Sequence, residues 1–559
     1  MDDNTPTHFN VLVAGTGLAE SILAASLSKS GYSVLQLDSA SYYGTEHASL
    51  SLTELDQWLK DRPRLCPGYG DASTPLDPDL VKLSQRFALS LFPALLRANG
   101  PGIDLLVRSK VATYLQFGLL GGVGLCQPAR EGVDAEEGRK KVERVPASKA
   151  DVFNDPALSL VEKRRLTKLL LFAAGQESLE DDKVLVEHPG IAFIDYLKKA
   201  YNLGGNAAES LTYALAICSS PSDPALPALR RLRSIIHSVG RYGPSPYLVG
   251  HYGGVGDLVG GFSRICAVWG GGQILGRPLS PLELTPPSGT PVPASQPPFM
   301  VHDNPPPPPS NPFDEHETTR PLGIPVQLDE GSDPTMFTGD WVISSPHLLP
   351  TLFPSTEAPS EEQLRPTSVN LVAILTHAVP FPPPRSSGDT GETEEEETPA
   401  SLSDSHLFVI PPEASSGSIG TVTALQLGKG TMSCPDGYHV LYLSAPLLSS
   451  PTQTESPSSY LTPALDSLLS LLPEQARRPV YSASYFGPTP SPQPSSLPAN
   501  LLVTPALPSR GKAEGIITAL DEVVPIVEDM FWQIVGEDGK REGVEFFRQE
   551  VANDDGDDG

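Results

Sequence analysis

A glycine loop between a strand and a helix constrains this chain more than any other feature. Residues 9–14 (FNVLVA) read as a buried strand, and Gly15-Thr16-Gly17 as a tight turn. Residues 21–28 follow as a helix with Ile22, Leu23 and Leu27 apolar, and residues 32–37 as a second strand. This is the order of the dinucleotide-binding fingerprint, and Asp38 stands where that fingerprint places an acid for a ribose hydroxyl. One position departs from it. Glu20 occupies the place of the third glycine, in the first helical turn. A carboxylate there satisfies the positive helix end and repels a phosphate. The loop Gly15, Gly17, Glu20 is therefore expected to be degenerate, a structural turn with no nucleotide cofactor.

Charge narrows the partners. The 559 residues carry a formal net charge of −28. Nucleic acid is excluded as a ligand, because phosphate contacts need basic surface. Membrane contact is expected to be local and transient, since an anionic bilayer repels the chain as a whole. The five cysteines, Cys66, Cys126, Cys218, Cys266 and Cys434, form no CxxC pair, which predicts reduced thiols and a cytosolic setting. The acidic start Met1-Asp2-Asp3 is no secretory signal. The longest apolar run, 169–174, is too short to span a membrane, and the C-terminus has no prenylation box. The eleven histidines show no ligand spacing, so no metal is expected.

The chain divides unevenly. Residues 1–120 read as an α/β unit, 121–144 as a loop insert and 145–238 as a helical unit. In the last, Leu158, Val161, Leu166, Leu169 and Phe172 recur at helical spacing, with further helices over 191–201 and 209–217. Residues 239–280 are glycine-rich. Residues 281–335 hold a proline-rich insert, with five consecutive prolines at 305–309 that cannot continue a helix or pair as a strand. Residues 336–450 alternate short strand-like pieces (340–344, 368–375, 406–410, 420–427, 438–444), interrupted by an acidic insert over 380–405 that is expected to be disordered. Residues 451–500 read as low-complexity, and 501–559 as a segment with a helix over 512–535 and an acidic tail.

Several blocks, in order, resemble one family. VLVAGTGLAESILAASLSKSGYSVLQLDSASYYGTEHASL, LLVRSKVATYLQF, VPASKADVFNDPALSLVEKRRLTKLLLF, GRYGPSPYL, YGGVGDLVGGFSRICAVWGG and LQLGKGTMSCPDGYHVLYL are similar to the Rab GDP-dissociation inhibitor and Rab escort protein superfamily. The resemblance covers 1–120, 145–277 and patches beyond. It implies an α/β, FAD-binding-like two-domain fold without flavin. Domain I would be a Rossmann-type mixed sheet and domain II a small helical bundle, with disordered proline-rich and acidic inserts. The function implied is non-catalytic. A Rab GTPase in its GDP form is presented to the Rab geranylgeranyltransferase α/β heterodimer, and the prenylated product is kept soluble and delivered to membrane.

The resemblance also implies residue roles. Tyr43 of the pair Tyr42-Tyr43, with Asp257 and Arg264, would face the Rab, while Tyr42 packs inward. Asp257 and Arg264 are seven apart, two turns along one helix face. The family has Glu at the first of these places, Gln at Gly260 and a polar residue at Gly272. Phe153 and Arg164, eleven apart, would contact the transferase. The geranylgeranyl chain would lie between domain II helices, lined by residues such as Leu166, Leu170, Ile194 and Leu197. Read without the family, Phe153 is a helix-entry staple, Arg164 a solvated basic residue and each leucine ordinary core. Three alternatives stay open: a recycling GDP-dissociation inhibitor, a flavin oxidoreductase of the same fold, and a scaffold whose prolines 305–309 engage SH3-type domains.

Overall fold

The computed structural model describes residues 6–61, 72–127, 141–146, 159–284, 321–329, 331–354, 365–383, 401–402, 404–412, 417–452, 455–487 and 497–547. The expected opening unit is present as His8–Ala14 (β1), Leu18–Lys29 (α1) and Val34–Asp38 (β2). β1 pairs in parallel with β2 on one edge and with Thr335–Ser344 (β4) on the other. A strand paired on both edges and covered on both faces must be apolar without alternation. Val11, Leu12, Val13 and Ala14 accordingly have no exposed surface. β2 pairs onward with Gly272–Leu275 (β3). Beyond β4 lie the antiparallel strands Leu322–Val326 and Glu283–Leu284, and Leu501–Val503 also pairs β4, completing a mixed sheet of seven described strands.

One face of this sheet carries α1, against which pack Val255–Val268 (α5) and Gly515–Arg541 (α6), the latter kinked at Gly536. Leu18, Ile22 and Leu23 join Val255, Val259 and Phe262 of α5 and Val523, Val527 and Phe531 of α6 in one core. The small residues Ala24, Ala25 and Ser28 let α5 approach closely, and Ser28 Oγ lies 3.3 Å from Cys266 Sγ.

A second sheet of eight described strands contains Ser368–Leu375, which pairs His439–Pro446 on one side and Tyr481–Phe486 on the other. The last of these strands, with the helix Pro457–Leu469 beneath the sheet, falls inside the expected low-complexity stretch 451–500. Serine and proline disguised two ordinary patterns there: Leu461, Leu465, Leu468 and Leu469 at helical spacing, and Tyr481, Ala483 and Tyr485 at strand spacing, all buried. The expected loop insert 121–144 likewise contains two strands, Val123–Gln127 and Lys141–Arg144, which pair antiparallel. Most of the proline-rich insert (285–320), the acidic run (384–400) and the tail (548–559) lie outside the described residues.

The helical unit comprises Leu160–Ala174 (α2), Lys183–Glu187, Phe193–Tyr201 (α3), Gly205–Glu209 and Ala225–Ser238 (α4). Leu166 and Leu169 of α2, Phe193, Tyr196 and Leu197 of α3, and Leu229 and Leu232 of α4 form its core. A Ser159–Glu162 capping box starts α2. The expected helix over 209–217 is present with π pitch over Ser210–Leu215, continuing the α-helical turn Gly205–Glu209, and Ile217 follows it at φ 46°, a conformation costly for a β-branched residue. Among the described residues no helix is long and apolar enough to cross a membrane, and no group of three metal-ligating side chains occurs. Cys126, Cys218, Cys266 and Cys434 are buried free thiols, while Cys66 lies outside the described residues.

Candidate functional site

The glycine loop turns as the sequence predicts. Gly15 adopts φ 113°, and a Cβ there would lie 2.7 Å from Ser345 Oγ. The residues around the loop do not fit a pyrophosphate at this helix end. Glu20 is buried, and its carboxylate folds back over Gly17, where a phosphate would approach. Thr504 Oγ1 donates to its Oε1 at 2.6 Å. His47 fills the remaining space, its Nδ1 accepting the Leu18 amide at 3.4 Å. Asp38, the expected ribose acid, is equally committed. Its Oδ2 accepts from the Thr16 amide (2.9 Å), Thr16 Oγ1 (2.7 Å) and Thr45 Oγ1 (3.1 Å), and its Oδ1 from the Ala40 amide (2.9 Å).

Glu20 blocks a phosphate mainly by its volume. Burial pushes its carboxyl up to about 7, against a smaller lowering from the Thr504 hydrogen bond. The side chain therefore blocks a phosphate by filling its place, and near neutral pH only part of the population adds charge repulsion.

The same cluster holds the turn that presents Tyr43. The Gly44 amide donates to Thr16 Oγ1 at 3.1 Å. Gly44 has φ 103°, and a Cβ there would lie 2.7 Å from Ala48 Cα, so the turn requires glycine. Arg510 pairs with Glu46 just beyond it at 3.1 Å. Tyr43 is left 38% exposed, while Tyr42 packs inward as expected.

Tyr43 and the α5 pair come together through a residue the sequence did not single out. The Tyr43 hydroxyl donates to Gln273 Oε1 at 2.7 Å, and Gln273 Nε2 donates to the Ser263 carbonyl of α5 at 2.9 Å. Ser263 adjoins Arg264, which is exposed with its guanidinium 4.4 Å from the ring centroid of Tyr114. Asp257 lies two turns earlier on α5, half-buried, and burial raises its carboxyl to about 6. No hydrogen bond reaches that carboxylate among the described residues, and no ion pair joins it to Arg264. Between them Gly260 leaves open space above the helix. A Cβ at Gly272 would lie 2.9 Å from Leu35 Cδ1, the end of a flexible side chain on β2 that would have to shift. The result is a row of groups on rigid elements: the exposed Tyr43, the exposed Arg264 with Tyr114, and the half-buried Asp257. Tyr114 stood in a recognised block, yet its role as the platform for Arg264 is a long-range contact with no signal in local spacing.

Arg164 is exposed on α2, beside the exposed Val161 and Leu171. Its expected companion Phe153 lies outside the described residues. Of the expected lipid-lining residues, Leu166 and Leu197 are buried while Leu170 and Ile194 are partly buried at the edge of the same core.

The model of the family described as GDP dissociation inhibitor matches residues 1–287. Rab proteins geranylgeranyltransferase component A of Drosophila melanogaster is 32% identical over 301 residues, covering 51% of this chain and 56% of that protein. Rab GDP-dissociation inhibitor of Saccharomyces cerevisiae is 31% identical over 287 residues, covering 50% of this chain and 58% of that protein. The chain thus spans little more than half the length of these curated relatives. The crystal structure of a Rab GDI from Plasmodium falciparum superposes with a TM-score of 0.62 at 20% identity, covering 95% of this chain and 100% of that one. An oxidoreductase from Methanosarcina mazei superposes at 0.54 and 15% identity, covering 93% and 99%. At these identities the two structures establish the two-domain, FAD-binding-like fold and nothing further. The chain belongs to the GDP dissociation inhibitor family.

Proposed function

We propose that the chain is a Rab escort protein, which binds Rab GTPases in their GDP form and presents them to the Rab geranylgeranyltransferase α/β heterodimer. The observation that carries this reading is the linked row Tyr43–Gln273–Ser263/Arg264 with Asp257. It offers one acid, one arginine and two tyrosines on rigid supports, the composition of an interaction hot spot. The helix-end cluster that would otherwise hold a cofactor instead braces the Tyr43 turn, which supports a protein-binding role without flavin or catalysis by this chain. Arg164 on the outer face of α2 supplies the transferase contact, together with Phe153. The geranylgeranyl chain of the bound Rab enters between α2 and α3 past Leu170 and Ile194. Its burial is worth about 0.8 kcal/mol per CH₂, enough to keep the product in solution until it is delivered by transient membrane contact.

A recycling Rab GDP-dissociation inhibitor is the second reading, favoured by the yeast inhibitor's matching 31% identity. Purified chain, transferase, geranylgeranyl diphosphate and unprenylated Rab separate the two. An escort protein supports transfer of the lipid. A chain that supports none, yet extracts prenylated Rab from membranes, is the recycling inhibitor.

A further inference from the structure

Two residues beyond the row just described share three unusual properties. Tyr252 and Met432 are exposed, at 49% and 48%. Both adopt left-handed backbone, φ 50° and 55°, which few non-glycine residues tolerate. The loops that carry them meet, because the Tyr252 amide donates to the carbonyl of Thr431, the residue before Met432, at 2.9 Å. Neither loop hangs free. The His251 amide donates to the Gln116 carbonyl at 3.1 Å, and the Ala88 amide donates to Ser433 at 3.0 Å. Thr431 Oγ1 donates to the Gly428 carbonyl and to Ser433 Oγ, both at 2.9 Å. Beneath Tyr252, Gly253 is pressed against the Ala88 carbonyl, 3.0 Å from where a Cβ would sit.

Strained backbone persists where the surroundings over-determine it, and it concentrates at functional sites. Here the strain holds a tyrosine and a methionine outward, two side chains well suited to apolar contact with a partner surface. The pair stands at the N-terminal end of α5, five residues before Asp257. The Gly254 amide closes the turn on the His251 carbonyl (2.9 Å), and the Asp257 amide then donates to Gly254 (3.1 Å). These two backbone bonds tie the turn that carries Tyr252 to Asp257, whose carboxylate no hydrogen bond reaches among the described residues.

We propose that Tyr252 and Met432 form an apolar contact patch for the same GTPase, extending the recognition surface past Asp257. The proposal rests on the reading of Tyr43, Asp257 and Arg264 as the Rab-facing row. The occupant it implies is the apolar GTPase surface flanking whatever cation meets Asp257.

Asparagine accepts left-handed backbone, so Tyr252→Asn and Met432→Asn remove the side chains while relieving the strain. The expected result for the double variant in the full chain is an unchanged or raised Tm with at least about tenfold weaker binding of GDP-loaded Rab, the loss expected when apolar hot-spot residues are truncated. That loss should change little with salt, whereas the loss in Asp257→Lys should be salt-sensitive. Rab affinity within twofold of wild type, with Asp257→Lys still defective, would overturn the inference and leave the Rab-facing row intact. A lowered Tm would make the pair structural and overturn it as well. Full binding by both Asp257→Lys and Arg264→Glu would instead remove the reading on which it rests.

Discussion

Thr504 Oγ1 donates to Glu20 Oε1 at 2.6 Å, joining the segment after the last sheet strand to the first turn of α1. The acceptor sits where the dinucleotide-binding fingerprint keeps a glycine, and its bond is one of several ties made by a single short stretch. Arg510 holds Glu46 beside the Tyr43 turn, Glu514 holds Arg231 of the helical unit, and Asp521 accepts from the Gly102 amide and from Arg97. Residues 504–521 thus fasten the degenerate loop, the proposed Rab-facing turn and domain II to one strap.

Glu20 makes the stability of the fold depend on pH in a known direction. Its carboxyl is raised by burial from 4.5 to about 7, so the folded chain holds this proton more tightly than the unfolded one. Stability from this group is full below pH 4.5 and is lost as pH rises through 7, by roughly 3 kcal/mol in all. Glu20→Gln keeps an oxygen to accept the Thr504 hydroxyl and loses the titration. Thermal unfolding followed from pH 5 to 8.5 should show wild type falling toward alkaline pH, and the variant flatter and more stable at pH 8.

The Arg231–Glu514 pair fixes domain II to the body of the molecule. Its side chains are 12% and 10% exposed, 3.3 Å apart, and Ser219 Oγ also donates to Glu514 at 3.0 Å. Removing one partner strands the other charge in low dielectric, a loss of roughly 3–5 kcal/mol. Glu514→Ala should lower urea stability by that order. The double variant Arg231→Met/Glu514→Leu should recover most of it, because two apolar groups of similar size leave no buried charge behind.

Asp257 should give Rab binding a mildly acidic limit. Burial raises its carboxyl to about 6, so it is ionised at pH 7.5 and neutral by pH 5. If it meets a cation of the GTPase, affinity falls as pH drops through 6. Asp257→Asn should bind more weakly at pH 7.5, by roughly tenfold for one desolvated charged contact, and should lose that part of the pH profile. Isothermal titration with GDP-loaded Rab between pH 5.5 and 8 reads both effects.

Arg164 and Phe153 should act on the transferase alone. Arg164→Ala and Phe153→Ala are each expected to weaken transferase binding by at least about tenfold. Rab affinity should stay unchanged, because α2 lies in the helical unit and the proposed Rab-facing row on the body. Surface-captured transferase measures the first quantity and Rab titration the second.

Local patterns carried much of the fold. β1, α1 and β2 were readable because a fully buried parallel strand is apolar throughout, and the strands at 368–375 and 406–410 showed the same signal. The helix Pro457–Leu469 and the strand Tyr481–Phe486 were hidden because serine and proline between the apolar positions looked like linker composition. At the site, Tyr43, Asp257 and Arg264 were legible only through the family resemblance. Asp257 and Arg264 share a helix at readable spacing, but their connection to Tyr43 runs through Gln273, and Arg264 rests on Tyr114 from a segment 150 residues away. Such links are set by tertiary packing and leave no periodicity. Glu20 was visible as a broken glycine position, whereas its near-neutral carboxyl comes from burial in the folded chain, which no local pattern shows.

A chain that bridges a Rab to its prenylating enzyme should assemble all three proteins, and that assembly tests the proposed escort role most directly. GDP-loaded unprenylated Rab, the transferase heterodimer and the full chain, mixed at micromolar concentration, are separated by size-exclusion chromatography with light scattering. The account predicts a single species whose mass equals the sum of all components and which disappears when the chain is omitted. A chain that binds Rab while the transferase elutes alone would contradict it.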